Sequence, residues 1–320
     1  MPQTATVSRP LTDAKASAAA VVSICSSRKF ATAPASLLAR NLPITSQDQV
    51  AAEWLKRLGK AAPVAKAGDL YGGRGFRLAQ SAAKVSHAPL FIISAGLGLI
   101  AAETPVPAYG ITVAAGADDA LALKVTAGLD MTAWFETLEA SPFSSDWDAV
   151  FAAKGPVLIA LTRPYARLVG AQLAALERDA LSRLRLFGES LEGVLPSALH
   201  KSIMPYDRRL DSVRPGARAD FPQRALADFA AYVAPLSSAA EANFHRRAVS
   251  ARLEGVTAPV IPERRRLDDQ AILQLITLKL DENASASKLL RRLRDEDDVA
   301  CEQNRFGRIY RMALEAKDRS

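Results

Sequence analysis

Two carboxylates and an amine offer this chain most of its chemistry. Asp207 and Asp220 fall in an arginine-rich stretch with Tyr206, Arg208, Arg209, Arg214 and Arg218. A carboxylate among cations stays ionised, as a general base or a stabiliser of a sugar cation must. The same residue types also build internal salt bridges, so composition leaves both readings open. Lys29 ends the polar run Cys25-Ser26-Ser27-Arg28-Lys29 and supplies a primary amine, a nucleophile when unprotonated.

Two glycine-bearing stretches offer binding surface. Residues 69–76 (DLYGGRGF) combine Tyr71 and Phe76 for stacking with Arg74 for a phosphate. Residues 94–100 (SAGLGLI) follow an apolar run, and Gly96 to Ala101 matches the G-x-G-x-x-G/A spacing of dinucleotide-binding loops. That mechanism needs a helix at once, because helix N-terminal amides hold the pyrophosphate. Pro105 and Pro107 interrupt any such helix, so the dinucleotide reading fails and no cofactor is expected. Ser94, Gly96 and Gly98 are instead expected to floor a pocket for a base or sugar, together with Ser26 and Tyr109.

The elements that must position these groups read as an α/β fold. Apolar runs at 20–24, 89–93, 157–161 and 184–187 predict buried strands, with a shorter candidate at 111–113. Helical periodicity appears at 47–58, 76–86, 131–138, from Pro164 to about 178, at 224–233 and at 239–253. Strands alternating with helices imply a largely parallel sheet flanked by helices. The polar turn after the first strand then falls where open α/β sheets bind ligands.

A loose tail is expected over 1–18, an α/β domain over 19–258, and a small helical module over 259–320. In that module Asp268 and Ser285 or Ser287 are candidate helix caps. Phe306, Ile309, Tyr310 and Ala313 share one stripe, with Arg305, Arg308 and Arg311 fanned opposite. Three short helices with such a fan match a helix-turn-helix-like reader of DNA, to which Lys288 and Arg291 would add. The alternative is a solvated basic face, because acidic residues 295–298 dilute the charge.

The net charge of +7 is unevenly spread, with 12 Lys/Arg against 4 Asp/Glu before residue 85. A cation-rich face attracts phosphodiester backbones, which makes DNA a reasonable partner. Two cysteines far apart and three scattered histidines give no disulfide framework and no metal site, and imply a reduced, cytoplasmic chain. Residues 16–25 mimic a signal peptide superficially but serve better as a first strand. No apolar run reaches the roughly 20 residues of a membrane span.

Cys25 to Lys29, Asp69-Leu70-Tyr71 with Phe76, 94–100 and Pro107-Ala108-Tyr109 occur in the order of a known pattern. They resemble a bacterial domain family related to the peroxide-stress protein YaaA. The blocks 205–207, 220–221 and 300–306 look like its longer members, which include phage-defence DNA glycosylases of the Brig type. The resemblance implies binding of double-stranded DNA with one base flipped into a pocket. In the longer members it further implies hydrolytic excision of a modified nucleobase in antiviral defence. The expected site then has Asp207, Asp220 or Lys29 in the catalytic role. Ser26, Arg28, Tyr71, Arg74, Phe76, Ser94, Gly96, Gly98 and Tyr109 would hold substrate. Arg208, Arg218, Lys288, Arg291, Arg305, Arg308 and Arg311 would hold DNA. The alternative is a non-enzymatic DNA-binding stress or defence protein. Gly96-Leu97 departs from the family's commonest residues at those positions, which implies a different pocket size.

Overall fold

The computed structural model describes residues 16–317 apart from 115, 238, 240, 261–262 and 281–284. The expected tail therefore lies mostly outside the described residues; within them Ser17 and Ala18 are buried. The chain divides into two units, residues 1–258 and 259–320.

The first unit contains β1 (Ala20–Ile24), α1 (Gln47–Leu58), β2 (Ala65–Lys66), α2 (Ala67–Leu70), α3 (Arg74–Val85), β3 (Leu90–Ser94), β4 (Gly98–Ala101) and β5 (Pro105–Val106). After these come α4 (Met131–Thr137), α5 (Trp147–Phe151), β6 (Val157–Ala160), α6 (Arg163–Ala174), α7 (Arg178–Arg183), β7 (Leu184–Phe187), α8 (Leu210–Val213), α9 (Phe221–Tyr232) and α10 (Ala242–Arg252). Five strands form one sheet in the order β4-β3-β1-β6-β7, all parallel except the edge pair β3–β4. β2 and β5 form a separate antiparallel pair.

Side chains alternate across a strand, and here both faces are covered. Ala20 and Val22 of β1 join one core with Trp54 of α1, Trp134 and Phe135 of α4, and Leu168 and Val169 of α6. Val21, Leu158, Ala160 and Phe187 face the other way, against Ala79 and Ala82 of α3 and Phe221, Leu226 and Phe229 of α9. Fully burying a Val, Leu or Ile side chain contributes about 1.5–3 kcal/mol, so a strand buried on both faces is firmly placed. Residues 111–113, a candidate strand by sequence, form only an isolated bridge between Thr112 and Ala120.

A buried polar group sits within the second core. Arg185 Nε donates to His245 Nδ1 at 2.8 Å, so the imidazole proton lies on Nε2, which donates to the Ser237 carbonyl at 3.0 Å. Burial, then the Arg185 charge, pushes His245 down from 6.5 to about 4. The unfolded chain therefore binds the extra proton first as pH falls. Stability is lost between about pH 6.5 and 4 and the loss levels off below that. Thermal midpoints measured from pH 7.5 to 4 are expected to fall more steeply for the native chain than for His245→Gln, in which this contribution is absent.

The second unit consists of α11 (Asp269–Lys279), α12 (Ala286–Asp295) and α13 (Gln303–Lys317) around Ile272, Ile276, Leu289, Leu293, Phe306 and Ile309. Asp268 caps α11 by accepting from the Ala271 amide at 2.8 Å, and Ser285 caps α12 by accepting from Lys288 at 3.4 Å.

Candidate functional site

The chain leaving β1 reaches β3 on one side, and the later strand β6 pairs with β1 on the other. At such a switch point the loops beyond the strands' carboxyl ends diverge and leave a crevice. Here it holds a cleft of about 230 Å³ lined by Cys25, Ser26, Ser27 and Lys29 after β1, Tyr165 of α6, Tyr109, Arg40 and residues 110–112 and 117–119.

Lys29 is set in this cleft by backbone pairing. The Phe30 amide donates to the Leu70 carbonyl at 3.0 Å and Gly72 to Arg28 at 2.9 Å, which places Lys29 opposite Tyr71. Its Nζ lies 4.3 Å from the Tyr109 ring centroid and 5.7 Å from that of Tyr71, and donates to the Ser26 carbonyl at 3.4 Å. Burial lowers the Lys29 pKa, against weaker upward pulls from Cys25 and Asp119. Desolvation thus favours the neutral amine, while the aromatic faces favour the ammonium, and burial is the larger effect.

Behind Lys29 stands a buried hydroxyl chain. Ser94 Oγ accepts from the amides of Gly96 at 3.2 Å and Leu97 at 3.0 Å, which uses both of its lone pairs. Its own proton is therefore donated to Tyr109 Oη at 2.6 Å, and Tyr109 donates on to Tyr71 Oη at 2.8 Å. Burial raises both phenols well above their ordinary value, so they stay protonated. Cys25 Sγ lies 3.0 Å from the Tyr165 hydroxyl on the opposite wall.

The turn 94–97 is clamped from outside. Trp54 Nε1 donates to the Gly96 carbonyl at 2.6 Å and Trp134 Nε1 to the Ala95 carbonyl at 2.8 Å. Gly96 and Gly98 were expected in the pocket, yet both are buried and neither lines the cleft. A Cβ on Gly96 would stand 2.4 Å from Ile111 Cγ2 and 2.8 Å from Tyr109 Cε2, so protein side chains fill the space that a ligand was expected to use. Gly98, at φ +87, starts the return strand β4, with Ser144 Oγ 2.6 Å from where its Cβ would be. Gly96→Ala is expected to destabilise by about 1–3 kcal/mol, as overpacking does, and to displace the Tyr109 ring. Denaturant midpoints and the near-UV tyrosine signal would register both.

Ser26, Lys29 and Tyr109 are thus brought together at the cleft, with Tyr71 and Ser94 directly behind and the Phe76 ring tilted at 59° to Tyr71, centroids 5.4 Å apart. The Ser26 hydroxyl is 2.7 Å from both the Arg28 and Gly72 carbonyls, tying the two loops. Arg28 is exposed, and Arg74 donates to the Pro215 carbonyl.

Neither carboxylate expected to act with Lys29 lines the cleft. Asp207 accepts three bonds from the Arg209 guanidinium, at 2.8 to 3.1 Å, beside the core of the sheet's other face. That pairing holds its carboxyl below the usual range. Asp220 precedes α9 and touches Gly75 in the first turn of α3, where it favours the positive end of that helix. Arg218 pairs with Glu189 and Arg224 with Asp211, at 2.8 and 2.7 Å. The arginine-rich stretch is therefore largely self-neutralised, the salt-bridge outcome that composition left open. Arg208 is exposed.

Sequence reading missed the cleft's own carboxylates, Asp118 and Asp119. Asp119 accepts from Arg40 Nε at 3.0 Å, Nη2 at 2.7 Å and the Arg40 amide at 3.0 Å, which keeps it ionised below the usual carboxylate range. The available signal was the Gly-Ala-Asp-Asp turn in an acid-rich segment, but nothing local links residue 119 to residue 29.

In the helical unit, Arg305 and Arg308 both grip Asp269, at 2.7 and 2.6 Å, so two members of the fan tie α13 to α11. Lys288, Arg291 and Arg311 are exposed. Asp269→Ala is expected to loosen this unit selectively, with faster amide exchange in α11 and α13 and unchanged exchange in the strands of the first unit. Among the described residues no group of three or more His, Cys, Asp or Glu is placed to hold a metal ion. Comparisons with protein families, with curated proteins and with solved structures give no match to this chain.

Proposed function

We propose that the cleft cleaves an N-glycosidic bond in DNA, excising a modified nucleobase in defence against phage, with Lys29 as the attacking amine. The observation that carries this reading is the half-buried Lys29, its pKa lowered by burial, against Tyr109 at the sheet's switch point. A cleft of about 230 Å³ is smaller than the roughly 300–1,000 Å³ of sites for drug-sized ligands and suits one flipped base.

In the proposed step the Lys29 lone pair attacks the sugar C1′ and the bond from C1′ to the base breaks. The base leaves with that electron pair and takes the proton that the amine gives up. Ring opening yields an imine to Lys29, which water hydrolyses to an abasic sugar and free amine. Asp119, ionised and 16% exposed, replaces Asp207 and Asp220 as the carboxylate that stabilises positive charge on the sugar. The exposed Lys288, Arg291 and Arg311 would hold backbone phosphates.

One observation favours a non-enzymatic DNA-binding protein instead: the Lys29 ammonium already has the Tyr109 face and the Ser26 carbonyl as partners, which would suit a purely structural lysine. Mass spectrometry of bases released from several chemically modified phage DNAs separates the readings. Released base together with a borohydride-trapped protein–DNA adduct supports the enzyme. DNA binding with no release from any genome supports the binding protein.

A further inference from the structure

At the opposite end of the sheet from the cleft, where β6 and β7 begin, lies a larger cavity of about 860 Å³. Lys154, Arg178, Arg183, Arg185 and Lys201 line it, against Glu241 as the acidic lining residue. No part of the reaction proposed above uses it.

These cations differ in what they already do. Arg183 serves the fold, donating to the carbonyls of Phe151, Ala153 and Gly155. Arg185 is 1% exposed, and its partners include the neutral acceptors His245 Nδ1 and the Ser182 and Leu184 carbonyls, at 2.8, 2.9 and 2.7 Å. His245 uses Nδ1 to accept from Arg185, so its ring is neutral in this contact. Lys154, Arg178 and Lys201 stand exposed at the rim without an ion pair among the described residues. The first turn of α10, at Ala242 and Asn243, forms another wall, and Glu241 before it provides no side-chain cap. Cationic groups at the rim and in the floor, together with helix amides, make a surface complementary to a compact polyanion. Pro156, Leu181 and Ala198 add apolar wall. The volume is that of a site for a ligand larger than a single phosphate.

We propose that this cavity binds a nucleoside di- or triphosphate, its phosphates held by Lys154, Arg178 and Lys201 over Arg185 and its ring system against the apolar wall. It is a second site, separated from the cleft by the length of the strands, and stands independently of what the cleft does.

Isothermal titration calorimetry on the full chain in 150 mM potassium chloride tests it, with ADP, pyrophosphate and a short DNA duplex as probes. ADP is expected to bind at one site per chain, more tightly than pyrophosphate because the ring adds contact. Arg178→Ala and Lys201→Ala are each expected to weaken ADP binding about tenfold, the loss of one charge-assisted contact. Both side chains are exposed, so folding is retained, and far-UV circular dichroism verifies it. The more drastic Arg185→Met is expected to abolish binding. Absence of ADP binding, or ADP affinity unchanged in both surface variants, overturns the proposal. So does tighter binding of the duplex than of ADP with loss in the same variants, which would make the cavity part of a nucleic-acid track.

Discussion

If the cleft acts as proposed, Lys29→Met is expected to abolish base release, by about a thousandfold or more, and to eliminate the borohydride-trapped adduct, while leaving DNA affinity within a few fold. The expectation follows from the placement of Nζ in the cleft, where no second lysine among the described residues lines the walls. Lys29→Arg retains the positive charge over the Tyr109 ring but cannot supply a neutral amine, so it is expected to fold normally and fail equally. The pH dependence has a definite sign. The reactive form is deprotonated, and burial sets the pKa of Lys29 below its ordinary 10.5. Single-turnover rate therefore rises with pH from neutrality and reaches its plateau before the pH at which an exposed lysine would. Full activity in Lys29→Met together with loss in Asp119→Asn would move the chemistry to a water molecule activated by the carboxylate. Retained activity in both would remove the cleft from consideration.

Trp54→Ala has the second large expected effect, on stability. Trp54 is fully buried, meets Tyr109 edge-on at 6.3 Å and donates its indole N–H to the Gly96 carbonyl. Truncating a buried tryptophan costs about 3–5 kcal/mol. The orphaned Gly96 carbonyl adds to that, since an unpaired buried acceptor costs about 1–3 kcal/mol. A domain stable by about 5–15 kcal/mol is then close to unfolding at physiological temperature. Urea denaturation of Trp54→Ala and Trp54→Phe separates the contributions: phenylalanine keeps much of the packing and loses the hydrogen bond. Because the clamp fixes the turn that seats Ser94 under Tyr109, both variants should also lose catalytic rate at temperatures where they remain folded. Equal activity per folded molecule in Trp54→Phe would show that the turn holds its place without the indole.

The two cavities place opposite demands on one sheet. Lys29 and Arg40 with the paired carboxylate Asp119 stand beyond the strands' carboxyl ends, and a cation-lined hollow lies at their amino ends. A nucleotide bound at the second would touch the loop before β6 and the helix α7 before β7, the strands whose far ends lead into α6, which carries Tyr165, and the loop that carries Glu189. Testing base release with and without ADP would reveal any coupling.

Sequence alone determined the α/β class, the four parallel strands and most helices, because those depend on periods of 2 and 3.6 residues that local composition writes directly. It also placed Lys29 after the first strand, at the edge where α/β sheets bind ligands. It misjudged the glycines at 96 and 98. A glycine reports that something approaches the backbone closely, and sequence cannot say whether that is a ligand or, as here, Ile111, Tyr109 and Ser144. It also grouped Asp207 and Asp220 with Lys29. Ion pairing within 204–224 uses the same residue types as catalysis, and only the sheet, by separating two cores, puts Asp207 on the face away from the cleft. The tertiary structure alone decided that Asp119 and Arg40 share a cleft with Lys29, and that Arg183, Arg185 and Lys201 share another. Charge is written in the sequence residue by residue, but its neighbours are chosen by long-range strand pairing, which local patterns do not encode.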